Sequence, residues 1–134
     1  MDQQRLVQTA QALVAEGKGI LAADESTGTI KRRFDSINVE STEDNRRNYR
    51  EMLFRTAGVN EFISGVILFD ETIRQGGADG TPMVKVLTDQ GIIPGIKVDK
   101  GTISLPESPE ELVTEGLDGL RDRLKEYNEL GAGF

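Results

Sequence analysis

At 134 residues, with 37% apolar and 29% charged side chains, the sequence has the length and balance of one ordinary globular domain. Its 23 acidic against 16 basic residues leave a net charge of -7, which argues against general binding of nucleic acid or of a membrane surface. Without a cysteine or a histidine, the chain has no disulfides, no thiolate or imidazole metal ligands and no histidine general base. Any chemistry must rest on carboxylates, lysine, arginine and hydroxyls.

The N-terminus Met1-Asp2-Gln3-Gln4 has no basic region leading into an apolar stretch, and no apolar run approaches the ~20 residues that span a bilayer. The expectation is an unprocessed cytoplasmic protein with no membrane partner. Asp2 is placed to cap a helix whose apolar residues Leu6, Val7, Ala10, Leu13 and Val14 fall at helical spacing, and Gly17 suits its end. Gly19 to Ala23 reads as a short strand apolar on both faces, ending at Asp24. A polar turn, Ser26-Thr27-Gly28-Thr29, separates it from a helical stretch over Ile30 to Phe34.

Ser41 followed by Asp44 has the form of a capping box, and Tyr49, Met52, Leu53 and Thr56 make one face of a helix predicted over about 42–57. Phe62 to Phe69 is a second buried strand, again ending in acids, Asp70 and Glu71. After a Gly-rich turn at Gly76 to Gly80, Pro82 to Gln90 predicts a short helix and Ile92 to Val98 a third apolar strand carrying one charge, Lys97. Gly95 in that strand suggests close backbone approach. Ser108 and Glu111 then suggest a capped turn before a helix with Leu117, Leu120, Leu124 and Tyr127 on one face, although Gly116 and Gly119 would each cost about 1 kcal/mol there. A fourth strand is expected to begin at Gly131 to Phe134.

Buried strands alternating with helices predict an α/β fold with a parallel sheet covered on both faces, either doubly wound or a (β/α)8 barrel. A whole barrel takes ~250 residues, so a barrel reading makes this about half of one. Both architectures put the active face beyond the C-terminal ends of the strands, which singles out Asp24, Asp70, Glu71 and Lys97.

Asp24-Glu25-Ser26-Thr27-Gly28-Thr29 offers two carboxylates, hydroxyls and a helix N-terminus, a combination suited to a phosphate. The competing reading is that Asp24 or Ser26 merely caps the next helix. Lys31-Arg32-Arg33 and Arg46-Arg47 could face an anion or simply form solvated helix faces. Lys97 must either reach solvent at its strand end or meet an acid; a lysine so placed can bind phosphate or form an imine. Phe69, Tyr49 and the methionines look like core, with no stacking platform, and no Walker or dinucleotide glycine loop is present.

Five collinear stretches, GKGILAADESTGTIKRRF at Gly17 to Phe34, TEDNRRNYREMLF at Thr42 to Phe54, GVILFDETIRQ at Gly65 to Gln75, GIKVDKG at Gly95 to Gly101 and GLDGLRDRLKEY at Gly116 to Tyr127, closely resemble class I (Schiff-base) fructose-bisphosphate aldolase. The resemblance implies the N-terminal part of a single TIM (β/α)8 barrel domain, residues 1–134 supplying about three to four β/α units. It implies a lyase of glycolysis and gluconeogenesis that reversibly cleaves fructose 1,6-bisphosphate to dihydroxyacetone phosphate and glyceraldehyde 3-phosphate. The reaction runs through a lysine imine, with no metal and no cofactor. Its partners are a sugar-phosphate substrate and, commonly, further copies in a homo-tetramer.

By the same resemblance, Asp24 matches the acid beside the Schiff-base nitrogen that takes part in proton transfer and bond cleavage. Ser26 and Thr29 match hydroxyl positions of the phosphate-binding turn, and Arg33 and Lys97 match phosphate contacts. Glu25 and Arg46 match motif positions of the family, and Arg46 is counted with the substrate-binding residues. The family's imine lysine, a catalytic glutamate and the residues for the second phosphate lie on later strands and have no match here. Lys97 is therefore not the imine lysine, and 1–134 alone is expected to be inactive. The alternative is a non-catalytic half-barrel that binds sugar phosphates through Ser26, Thr29, Arg33 and Lys97. A further possibility is a fragment that folds only on pairing, because half a barrel leaves two open strand edges.

Overall fold

Three short apolar runs dominate the computed structural model, which describes residues 2–134: β1 (Gly19–Ala23), β2 (Ile63–Leu68) and β3 (Ile93–Ile96). They lie side by side in the order β1-β2-β3, all parallel, with Ala23 opposite Leu68 and Leu68 opposite Ile96. That register ends the three strands in one line. Side chains alternate across a strand, so runs apolar at every position supply both faces of a sheet. β2 and β3 are largely buried, whereas β1 is exposed over most of its length, Ile20 at 44%, so the expected covering of both faces is incomplete there. Val66, Leu68, Ala23 and Ile96 are accordingly buried in one cluster with Phe54, Ile73, Met83, Leu87, Ile92 and Tyr127.

Each crossover is helical. Helix α1 (Gln3–Leu13) precedes β1 and is capped by Asp2, whose carboxylate accepts from the N–H groups of Gln4 and Arg5. Helices α2 (Thr27–Asp35), α3 (Glu43–Phe54) and the single turn α4 (Val59–Phe62) connect β1 to β2; α5 (Asp70–Arg74) and α6 (Met83–Thr88) connect β2 to β3. This βαβαβ order is a partial α/β architecture, as the alternation of patterns predicts.

No fourth strand is formed at Gly131 to Phe134, although the chain end lies against β3. Gly133 N–H donates to the Pro94 carbonyl (2.7 Å) and Ile96 N–H donates to the Phe134 carbonyl (3.0 Å), so the last residues run along β3. Gly95 makes room for them: a β-carbon there would lie 2.6 Å from the Phe134 ring, so what approaches this glycine closely is a side chain and not, as expected, a backbone.

Several local expectations need correction. The cap of α3 is Thr42, whose hydroxyl accepts from Asn45 N–H at 3.1 Å, while Ser41 gives its carbonyl to Arg46; the helix accordingly spans Glu43–Phe54 and not 42–57. Of the residues read as core, Met83 is buried but Met52 is 60% exposed, and Tyr49 and Phe69 are half-buried, Tyr49 standing edge-on to Phe34 at 5.9 Å. Phe62 lies outside β2 and is exposed.

The largest departure is over 102–114. Instead of a capped turn leading to a helix, the segment forms an antiparallel hairpin, β4 (Thr102–Leu105) with β5 (Ser108–Thr114), turning at Glu107 with φ 66°. The Ser108 to Glu111 pattern is thus strand, overridden by Thr-Ile-Ser-Leu pairing with Leu-Val-Thr. Helix α7 (Leu120–Leu130) starts only after Gly116 and Gly119, both in the left-handed region at φ 138° and 66°. The two glycines therefore incur no helix penalty, because neither is helical.

Candidate functional site

The common end line of β1, β2 and β3 is followed by Asp24, Phe69 and Lys97, with Asp70 and Glu71 next along the chain at the start of α5, so the four residues singled out by the strand-end rule all follow this edge. Beside that edge opens a cavity of about 710 Å³ lined by Ser26, Phe69, Asp70, Lys97, Asp99, Arg123 and Tyr127 among others, Asp24 not being one of them. That volume is in the usual range for small-molecule sites, ~300–1,000 Å³.

Asp24 is half-buried and sits between two residues whose backbone is held elsewhere: the carbonyls of Ala23 and Glu25 both accept from the buried guanidinium of Arg50, at 3.2 and 2.6 Å. It does not cap α2. That role falls to Ser26, whose hydroxyl accepts from Thr29 N–H (3.4 Å) and lies 3.2 Å from the Thr29 hydroxyl. The capping alternative therefore describes Ser26 and leaves the carboxylate of Asp24 unexplained by helix geometry.

Lys97 extends the β2–β3 ladder, its N–H donating to the Leu68 carbonyl at 2.9 Å, and its ammonium pairs with Asp99, whose other oxygen accepts from Gly101 N–H. The ammonium holds the Asp99 carboxyl below the usual carboxylate range. Across the cavity, Asp70 accepts from Arg74 (2.9 Å) and from the Tyr127 hydroxyl (2.9 Å), and these bonds pull its pKa down. Burial and the same hydrogen bond push the Tyr127 phenol up. Arg123 anchors the hairpin base through the Val98 and Gly116 carbonyls.

Not every sequence-predicted residue lines this cavity. Arg33 turns its half-exposed guanidinium to Glu25 and Tyr49, and the Glu25 charge raises its pKa. Arg46 forms a fork on Glu71, at 2.9 and 2.7 Å, and donates to the Ser41 carbonyl at 2.6 Å. Thr29 stays in the α2 cap with Ser26. The structure thus brings Ser26 and Lys97 to the cavity wall, with Asp24 at the same strand-end edge, and places Arg33 and Arg46 in ion pairs beside it. No group of three or more acidic, histidine or cysteine side chains among the described residues is arranged to hold a metal.

Arg50, Asp99, Arg123 and Tyr127 were not picked out by sequence reasoning. Arg50 follows Arg46 by one helical turn, which puts both on the side of α3 facing the strand ends; Asp99 and Arg123 carried no motif of their own, and Tyr127 read only as an apolar stripe member.

A family model described as fructose-bisphosphate aldolase class-I matches residues 5–134. The chain belongs to the class-I fructose-bisphosphate aldolase family. Over 134 residues it is 60% identical to the protein of Xanthomonas campestris pv. campestris named "Probable fructose-bisphosphate aldolase class 1", which covers 100% of this chain and 40% of that relative. It is 59% identical over 131 residues to fructose-bisphosphate aldolase 2 of Plasmodium berghei, 98% of this chain and 36% of that one. The solved fructose-bisphosphate aldolase of Plasmodium falciparum, in complex with TRAP and a small-molecule inhibitor, superposes with a TM-score of 0.94 at 57% identity, over 96% of this chain and 37% of that one. This aldolase-family chain therefore spans 40% or less of the length of these relatives. No helix among its described residues is long and apolar enough to cross a membrane.

Proposed function

We propose that residues 1–134 form the N-terminal three to four β/α units of a single TIM (β/α)8 barrel domain. The complete protein reversibly cleaves fructose 1,6-bisphosphate to dihydroxyacetone phosphate and glyceraldehyde 3-phosphate in the cytoplasm. The observation that carries this reading is the alignment of strand ends, which leaves Asp24 and Lys97 at one edge of the sheet, next to a cavity of about 710 Å³ that Ser26, Asp70 and Lys97 line. Family membership supplies the reaction class.

In this reading, Asp24 is the proton-transfer group beside the imine, and the imine lysine lies outside these residues. Ser26 and Thr29 offer hydroxyls at the α2 N-terminus, where backbone N–H groups and the helix dipole favour a phosphate. Lys97 gives the opposite wall a positive charge once it releases Asp99. Arg33, more than half exposed, exchanges Glu25 for the phosphate. For Arg46 we propose a supporting part: its fork is satisfied by Glu71, so it holds that acid in place and leaves the phosphate to Arg33 and Lys97. The open edge of β1 suits closure by further strands of the same barrel, and copies of the complete protein assemble as a homo-tetramer.

The test is a coupled assay of fructose 1,6-bisphosphate cleavage by the complete protein, with borohydride trapping of dihydroxyacetone phosphate on it. Cleavage should proceed, and the trapped label should fall outside residues 1–134. Binding of the bisphosphate without cleavage would replace this reading with the non-catalytic one, and a label on Lys97 would overturn the residue assignment.

A further inference from the structure

A fully buried guanidinium is costly unless its donors are satisfied, and Arg50 is 0% exposed. It lies on α3, yet its partners are on the end of β1. Nε donates to the Ala23 carbonyl at 3.2 Å and Nη2 to the Glu25 carbonyl at 2.6 Å, the two carbonyls that flank Asp24. The carboxylates around it are further off, Glu25 at 3.8 Å and Glu71 at 3.9 Å, and the Phe69 ring centroid at the end of β2 is 5.7 Å away. Nη1 of Arg50 and Oε2 of Glu25 are each left without a hydrogen-bond partner. The ion pairs with Glu25 and Glu71 are long and carry no hydrogen bond, whereas both direct hydrogen bonds go to main-chain carbonyls, so what this side chain serves first is the backbone around residue 24.

We infer that Arg50 is a positioning residue for Asp24, an inference that rests on the aldolase reading above. The Nε and Nη2 donors of one rigid fork fix the carbonyl before Asp24 and the carbonyl after it, and with them the direction in which the Asp24 side chain leaves the strand end. Lysine cannot reproduce this, because its ammonium is a single point on a flexible stem. A misplacement of about 1 Å by a residue remote from the reacting atoms is enough to slow chemistry ~100-fold, so loosening this clamp acts on the proton-transfer step. Imine formation and phosphate binding draw on other groups and are left alone.

The experiment uses the complete enzyme carrying these residues, with Arg50→Lys and Arg50→Gln made alone and in an Asp24→Asn background. Arg50→Lys should lower kcat at least about tenfold, with KM and the yield of borohydride-trapped dihydroxyacetone phosphate kept within about twofold. In the Asp24→Asn background the same substitution should have almost no further effect on kcat, since the group it positions is already gone. A kcat kept within about twofold overturns the inference, as does a kcat loss that simply adds to that of Asp24→Asn. Loss of trapping, or failure of both Arg50 variants to fold, overturns it equally, because Arg50 would then hold the barrel together and not Asp24 in particular. Failure of the aldolase reading is distinguishable: it shows first, as absent cleavage by the unsubstituted enzyme.

Discussion

Gly95→Ala is the substitution whose consequence the structure defines most closely. A β-carbon at residue 95 would stand 2.6–2.7 Å from three ring atoms of Phe134, against about 3.5–4.0 Å for an ordinary carbon contact. The ring would have to retreat by about 1 Å. It cannot do so as a rigid unit with its backbone, because Ile96 N–H holds the Phe134 carbonyl and Gly133 N–H holds Pro94. Either the ring swings off the sheet and loses its burial, or the chain end detaches from β3. Overpacking of this kind costs about 1–3 kcal/mol. Gly19→Ala is the control: a β-carbon there meets nothing within 4 Å, and reduced freedom of the unfolded chain favours alanine by about 0.4–1 kcal/mol. Urea unfolding should therefore place Gly95→Ala below Gly19→Ala by at least ~1.5 kcal/mol at unchanged m value. Equal stabilities, or a more stable Gly95→Ala, would refute the packing of Phe134 on β2 and β3.

Arg46→Ala should destabilise by about 2–3 kcal/mol, because it strips charged hydrogen bonds from a partly buried Glu71, and the loss should change little between low and high salt in denaturation experiments. The depressed pKa of Asp70 gives a stability contribution that is complete above the unfolded carboxylate value and is lost as pH falls through the folded one. Asp70→Asn should flatten the acid side of the stability profile below about pH 4. The raised pKa of Tyr127 has the opposite sense: its contribution is complete below the unfolded phenol value and fades as pH rises through the folded one. Ultraviolet titration should show a tyrosine ionising above about pH 10 that is missing from Tyr127→Phe.

Periodicity alone found the three strands, because runs apolar at every position have few other places to go than a sheet covered on both faces. It also found the strand-end line, since a parallel register follows from helical crossovers, and with it Asp24, Asp70 and Lys97. What it misread were segments whose local pattern fits two structures. Ser108 to Glu111 satisfies a capping box on paper, but the pairing of Thr102–Leu105 with Ser108–Thr114 decides the outcome, and that is a contact between separate segments. Thr102-Ile103-Ser104-Leu105 alternates with period two and was the available signal. Ser41 and Thr42 are adjacent hydroxyls that can both cap a helix; Thr42 takes that role, while the Ser41 carbonyl and hydroxyl accept from Arg46. Arg50 was illegible for a similar reason. Nothing local marks one arginine of a charged helix as fully buried, and its partners on the β1 end lie 25 and 27 residues away in sequence.

In the proposed function Asp24 carries proton transfer at the end of β1. Ser26 already supplies the α2 cap, so Asp24→Asn removes a charge and a base without removing a structural hydrogen bond that the helix needs. The most direct measurement is kcat for fructose 1,6-bisphosphate cleavage by that variant of the complete enzyme, alongside its binding of the substrate. The account predicts a folded protein that binds the bisphosphate and loses at least ~100-fold in turnover, the lower end of a general acid–base contribution. Near-normal turnover by Asp24→Asn would contradict it.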